Sequence, residues 1–132
     1  MKIIKLQKTT SCSYFQSSNL NSNIDLETDL LGELFSRGLS HYNLDDLPEL
    51  LKDGGIAHSN IMSAEHIGDQ IIMSFDDLDA SGNLLEATIP FDKLLPLLQV
   101  WPTVYKVFPE IVTIKYDDEY NFQMYFDEQK IW

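Results

Sequence analysis

Apolar residues recur at three- and four-residue spacing in the stretch 25–37, and this period places them along one face of a helix. Asn23 or Asp25 can cap the first turn, and Gly38 is a natural stop after Arg37. The spacing therefore predicts a helix from about residue 25 to residue 37. Its apolar stripe consists of Leu26, Leu30, Leu31, Leu34 and Phe35.

A second, shorter helix is predicted from Leu44 or Asp45 to about Lys52. Pro48 falls in its first turn, where the missing N–H costs little, and a pair of glycines ends it. We expect the two helices to form a hairpin-like pair in the N-terminal half of the chain.

Beyond residue 66 the pattern changes to short runs typical of strands. Segments 67–75 and 84–91 flank a turn rich in Asp, Ser, Gly and Asn, which predicts one β-hairpin. Segments 111–116 and 122–126 alternate apolar with polar residues around an acidic turn, which predicts a second hairpin.

Three further segments complete the prediction. Ile3, Ile4 and Leu6 stand among lysines, which indicates a short strand at a sheet edge. Residues 9–23 are dominated by Ser, Thr, Asn and Gln, the composition of a long polar loop. Asp92 is expected to cap a short leucine-rich helix. That helix should tolerate Pro96 near its first turn and end at Trp101-Pro102.

Together these elements predict an α+β fold, with an N-terminal helical pair and a largely antiparallel sheet of four or five strands built from two hairpins. The chain has 132 residues, of which 44% are apolar. That length suffices for one core, so residues 1–132 are expected to form a single globular domain. We also expect no targeting segment and a cytoplasmic protein.

The charge is large and unevenly distributed. Lys and Arg total 9 against 21 Asp and Glu, so the net charge is -12. Residues 1–24 carry three lysines and no acid, which leaves -15 on the rest. Such a surface repels phosphate backbones and anionic lipids, so we expect no direct nucleic-acid or membrane binding. A basic protein is the complementary partner.

Candidate catalytic and metal-binding residues are few. One cysteine, Cys12, and three scattered histidines at or near predicted loops, His41, His58 and His66, do not form a recognisable catalytic or metal motif. The stretch 77–83 resembles the start of a calcium loop, but the twelfth position is Thr88 instead of a carboxylate. We therefore predict no enzymatic activity, no cofactor and no metal site.

Acidic residues instead coincide with aromatic residues near both hairpin turns and the C-terminal end. Aromatic side chains surrounded by charge are typical of protein-binding surfaces, where carboxylates also steer a basic partner. We predict that the binding residues are Asp76, Asp77, Asp79, Asp117, Asp118, Glu119, Tyr120, Asp127, Glu128 and Trp132.

In size, acidity, acid-plus-aromatic surface and absence of catalytic motifs, the chain resembles the small acidic immunity proteins made beside bacterial polymorphic or contact-dependent toxins. The resemblance implies a cytoplasmic protein that binds a cognate basic toxin domain, expected to be a nuclease, and masks its active or substrate-binding surface. Two alternatives stay open: a nucleic-acid mimic that inhibits a host or defence nuclease, and a small ligand-binding domain or enzyme.

Overall fold

A computed structural model describes residues 1–9, 15–17, 25–39 and 48–132. Within these residues there are two α-helices and nine strands arranged in two antiparallel sheets, so the fold is α+β. None of the helices described is long and apolar enough to cross a membrane.

The first sheet has five strands in the order β2-β1-β7-β8-β9, and we call it the five-stranded sheet. The pairing of β1 with β7 joins the two ends of the chain, with Lys2 opposite Tyr116 and Gln7 opposite Ile111. Its strands are β1 (Lys2–Lys8), β2 (Phe15–Ser17), β7 (Ile111–Tyr116), β8 (Gln123–Phe126) and β9 (Gln129–Lys130).

The second sheet has four strands in the order β3-β4-β5-β6, and we call it the four-stranded sheet. Each strand pairs with its neighbour in the chain, so the sheet is a meander with local connections. Its strands are β3 (Ile56–His58), β4 (Met62–Ile67), β5 (Gln70–Phe75) and β6 (Glu86–Pro90).

Helix α1 (Leu26–Glu33) lies between the sheets and continues as a π-helical segment, Leu34–Gly38. The helix contacts β1 and β2 on one side and β5 and β6 on the other, while the π-helical segment contacts β2, β3 and β4. Every residue from 28 to 36 is buried. A side chain at Gly32 would overlap Ser17 of β2, so the close approach of helix and strand requires glycine there.

Two sequence predictions for α1 are confirmed. Asp25 is the N-cap, and its carboxylate accepts hydrogen bonds from the backbone N–H groups of Glu27 and Thr28 at 2.9 and 3.3 Å. The helical segment ends at Gly38. The sheet-edge prediction for β1 is wrong, because β1 lies between β2 and β7. Its terminal lysines instead cover aromatic rings at the two ends of the core: Lys2 lies over Tyr116 and Lys8 over Phe108.

The predicted N-terminal helical pair is also wrong. Both helices lie within the chain, and α2 (Phe91–Val107) follows the four-stranded sheet. The second helix of the predicted pair begins at residues 44–45, outside the described residues, and its described part forms only the 3-10 turn Glu49–Leu51. Of the predicted loop 9–23, the described part includes a strand, β2.

Helix α2 is longer than the sequence predicted. Pro96 and Pro102 lie inside its 17 residues, although each removes a backbone hydrogen bond. The apolar period continues through both prolines, and burial of this stripe outweighs the local cost. Asp92 lies in the first turn, but the N-cap is Pro90, which provides no side-chain cap. The buried stripe consists of Leu94, Leu97, Leu98, Trp101 and Val104.

Both predicted hairpins form, as β5–β6 and β7–β8, but they belong to different sheets. The prediction of one sheet with four or five strands built from two hairpins is therefore wrong: the described residues form two sheets, one of five strands and one of four. Strands β3 and β4 were not predicted, because Ala57, His58, Ala64 and His66 weaken the strand pattern.

Candidate interaction surface

The structure places the ten predicted binding residues in separate regions. Asp76, Asp77 and Asp79 lie between β5 and β6, on the four-stranded sheet. The acidic turn 117–120 and the turn at 127–128 lie at opposite ends of the β7–β8 hairpin, because Lys115 pairs with Gln123 and Val112 with Phe126. The six residues of β7 separate the two ends of the hairpin by roughly 17 Å. The ten residues therefore do not form one continuous site.

The Asp79 carboxylate holds the β5–β6 connection in a tight turn. It accepts hydrogen bonds from the backbone N–H groups of Asn83 and Ser81, both at 2.8 Å. These hydrogen bonds, with the one to Asn83 the stronger influence, lower the pKa of Asp79. Gly82 follows with φ 81°, a conformation that glycine adopts without strain. This part of the calcium-like stretch is thus a hydrogen-bonded turn that leads into a strand.

Asp117 and Asp127 have the same role in the five-stranded sheet. Asp117 accepts hydrogen bonds from the Asn121 side chain at 3.0 Å and from the backbone N–H groups of Asn121 and Glu119 at 3.1 and 2.9 Å. The Asn121 bonds are the main reason why the pKa of Asp117 is lowered. Asp127 accepts from the backbone N–H of Ile111 at 3.1 Å. These carboxylates stabilise turns, so part of their capacity to accept hydrogen bonds is already occupied within the protein.

Tyr120 belongs to a polar network centred on Glu27. The hydroxyl groups of Tyr116 and Tyr120 donate to the two carboxylate oxygens of Glu27, each at 2.9 Å. Lys2 forms ion pairs with Glu27 at 3.2 Å and with Asp25 at 3.1 Å. Burial and the Glu27 carboxylate raise the pKa values of both tyrosines. The network joins β1, α1 and the β7–β8 turn, so the Tyr120 hydroxyl already has an internal partner.

Trp132 is half-buried and packs against the hydrophobic core. The backbone of Met124 donates to its carbonyl oxygen at 3.0 Å, which attaches the C-terminal residue to β8. Part of the Trp132 side chain is therefore already buried against the core.

Five of the predicted binding residues are exposed carboxylates whose side chains form no hydrogen bond or ion pair within the part of the chain that is described. These are the groups that can meet a partner without first breaking an internal bond. They are Asp76 and Asp77 on the four-stranded sheet and Asp118, Glu119 and Glu128 on the five-stranded sheet.

The outer face of the five-stranded sheet carries cations that the sequence reasoning did not assign. Lys5, Thr113, Lys115 and Tyr125 line a shallow groove of about 680 Å³, with Asp127 and Glu128 at one end. The Lys115 ammonium lies 4.9 Å from the centre of the Tyr125 ring. Lys5 and Lys115 lie on the same face because β1 pairs with β7, with Lys5 opposite Thr113, and strand pairing over 100 residues apart has no local sequence signal.

The outer face of the four-stranded sheet has the opposite character. Its strands contain no lysine or arginine, and Glu65 and Glu86 lie on this face beside Ile56, Ile67 and Ile72. This face was missed because β3 and β4 were not predicted. The alternation of buried and less buried residues along Met62–Ile67 was the available signal.

The segments that contain the two sheets also differ in net charge. Segment 48–90, which contains the four-stranded sheet, has eight acidic residues and one lysine, a net charge of -7. Segments 1–9 and 111–132, which contain all the five-stranded sheet except β2, have five lysines and five acidic residues and are neutral. The acidity of the chain is therefore concentrated away from the sheet that joins its two ends.

Both described histidines lie in strands, although His58 is the last residue of β3 and so lies next to a loop. His58 is exposed on β3, whereas His66 is buried on β4, with its ring nitrogens 2.8 and 2.9 Å from the carbonyl oxygens of Leu50 and Gly68. Its ring also stacks on Phe91 at 3.9 Å. His66 thus connects the four-stranded sheet to the 3-10 turn and to α2. Cys12 and His41 lie outside the described residues, which contain no metal-binding cluster of His, Cys, Asp and Glu.

Comparison with protein families, with curated proteins and with solved structures found no match to this chain.

Proposed function

We propose that this chain is an immunity protein that binds a cognate basic toxin domain and masks its active or substrate-binding surface, acting in the cytoplasm of the cell that makes it. The observation that carries the proposal is the segregation of charge. Segment 48–90 has a net charge of -7, whereas segments 1–9 and 111–132 together are neutral, and the exposed carboxylates of Asp76 and Asp77 have no partner within the described residues.

The physical basis of such inhibition is electrostatic steering. A concentrated negative surface attracts a basic partner over a distance of about 8 Å at physiological ionic strength. If the toxin is a nuclease, carboxylates would occupy the positions that the phosphates of its substrate otherwise take. The exposed carboxylates of Asp76 and Asp77 support this mode of inhibition.

The test is co-expression with the neighbouring gene, where that gene encodes a large secreted protein. Its C-terminal domain should arrest growth when expressed alone and be harmless with this chain, and the two should co-purify as a stoichiometric complex. Growth arrest that this chain does not relieve would refute the proposal. Stable binding to several unrelated basic nucleases would instead favour a nucleic-acid mimic.

The association rate supplies a second readout. Steering predicts that the rate constant falls steeply as salt increases, because mobile ions screen long-range attraction. Stopped-flow mixing of the two purified proteins across a salt series measures this directly. A salt-independent rate would show that the acidity of the chain does not guide binding.

A further inference from the structure

The outer face of the four-stranded sheet combines exposed aliphatic side chains with acidic ones. Antiparallel pairing places Ile56 opposite Glu65, Glu65 opposite Ile72, and Ile72 opposite Thr88, in one row across all four strands. The neighbouring row ends at Glu86 on β6. This face therefore carries two carboxylates and three isoleucines, and the remaining positions are neutral polar residues, Pro90 and His58. No described element covers it.

The aliphatic side chains on this face are accessible to solvent. Ile56 is 51% exposed and Ile67 is 49% exposed, while Ile72 is partly exposed between them and β6. Water that surrounds such side chains is released when a partner covers them, which favours association. The same face thus offers an apolar contact together with charge.

The negative charge on and around this face favours a basic partner. Exposed Asp69 and Asp76 lie at opposite ends of β5, beyond the carboxylates on the face itself. No strand of this sheet contains a lysine or arginine, whereas Lys5, Lys115 and Lys130 lie on strands of the other sheet. A basic surface would be attracted to the first face and would meet like charges on the second.

We propose that the outer face of the four-stranded sheet, centred on Ile56, Glu65 and Ile72, is the surface that binds the basic partner. The partner presents lysine or arginine side chains around an aliphatic or aromatic contact, so that the cations meet Glu65 and Glu86 while the apolar groups cover the isoleucines. This inference rests on the proposed function and names the surface through which it acts.

Two charge-reversal variants with the same net charge test the location. Glu65→Lys/Glu86→Lys alters the four-stranded face, and Asp118→Lys/Glu119→Lys alters the β7–β8 turn, so each adds four units of positive charge. With the toxin domain encoded by the neighbouring gene, the first should weaken binding by about 100-fold or more. The second should weaken it by less than about 5-fold. The reverse order, or equal losses, would overturn the proposal.

An apolar pair of variants covers the case in which lysine at Glu65 disturbs the sheet. Ile56→Ser/Ile67→Ser removes exposed aliphatic groups from the proposed surface, and Ile3→Ser/Ile111→Ser is the matched control on the five-stranded sheet. Circular dichroism checks that both variants fold. Weaker binding of the first variant alone supports the proposal, and weaker binding of the control alone contradicts it.

A synthetic probe keeps the surface testable if the neighbouring domain does not bind, an outcome that would refute the proposed function itself. The probe is an octapeptide of alternating arginine and valine, added to the isotope-labelled protein. Amide NMR shifts should be largest in β3, β4 and β5. Shifts centred on β1, β7 and β8, or shifts of equal size in both sheets, would overturn the assignment of this face.

Discussion

The two sheets cover the same helix but use their charged residues differently. In the five-stranded sheet, Tyr116 bonds the Glu27 carboxylate of α1, and the carboxylates of Asp117 and Asp127 close the turns at either end of β8. In the four-stranded sheet, Asp53 and Asp79 also accept hydrogen bonds within turns, but Glu65, Glu86 and the exposed Asp76 have no such internal role.

This difference shows that an acidic residue has to be located before it is assigned to an interface. A carboxylate that accepts several backbone hydrogen bonds already contributes to folding, and a partner must compete with those bonds. Asp117 is such a group, whereas Asp118 beside it is not. The neutral charge of segments 1–9 and 111–132 also means that the five-stranded sheet contributes little to long-range attraction.

The largest expected effect tests whether the two sheets are stabilised by one shared hydrophobic core. Phe35, in the π-helical segment of α1, is fully buried and packs on Trp101 of α2 at 4.7 Å. We expect Phe35→Ala to lower the free energy of unfolding by about 3–5 kcal/mol, the usual cost of removing a buried aromatic ring. Urea denaturation measures the loss.

Hydrogen exchange shows whether that loss is shared. Because α1 contacts both sheets, amide protection should decrease in β1 and β4 together. The control is Ile56→Ala at an exposed position, which should change stability by less than about 1 kcal/mol. Loss of protection in one sheet alone would show that the sheets unfold as separate units.

The next test addresses the polar connection between the five-stranded sheet and α1. Glu27→Met keeps the length of the side chain but leaves the hydroxyl groups of Tyr116 and Tyr120 without their acceptor and removes one of the two partners of Lys2. We expect a loss of about 2–3 kcal/mol, since hydrogen bonds to a charged group are among the stronger ones. Thermal or urea unfolding measures it, and an unchanged stability would show that the network adds nothing to the connection.

The sequence predicted the elements whose signals are local. The N-cap at Asp25, the end of the helical segment at Gly38 and both hairpins depend on residues a few positions apart, and all are present. The length of α2 was mispredicted because the proline penalty is local, whereas the burial that outweighs it involves other elements. The pairing of β1 with β7 depends on residues more than 100 positions apart, so its register had no sequence signal.

The candidate surface was harder to predict than the fold. The sequence reasoning located acidic residues near turns, but a turn carboxylate and a free carboxylate have the same sequence pattern. Asp79 and Asp76 differ only in whether the backbone folds back to meet them. The combination of aliphatic and acidic side chains on the four-stranded face depends on the register of β3 against β4, which places Ile56 beside Glu65.

A third test replaces Glu33, six residues after Glu27 in α1, with methionine. Glu33 is fully buried, and neither oxygen of its carboxylate has a hydrogen-bond partner among the described residues. We expect Glu33→Met to raise the free energy of unfolding by about 1–2 kcal/mol, because a buried polar group without a partner costs about that much. Glu27→Met is the matched control with the opposite sign. A loss of stability in both variants would show that Glu33 contributes a favourable interaction.

The smallest expected effect is on the pH dependence of stability, and it concerns the turn carboxylates of the two sheets, Asp79 and Asp117. Hydrogen bonds lower the pKa values of Asp79 and Asp117, so folding favours their ionised forms. Their contribution is complete above the ordinary aspartate pKa of about 3.9 and is lost as the pH falls through the lower folded values. Asp79→Asn and Asp117→Asn should therefore each flatten the acid limb of a urea-midpoint series between about pH 5 and pH 2. Because both residues are partly exposed and their carboxylates bond nearby amides, the two changes should be similar. A flatter limb in only one variant would show that the acidic turns of the two sheets are not equivalent, and that their difference extends beyond net charge to the turns themselves.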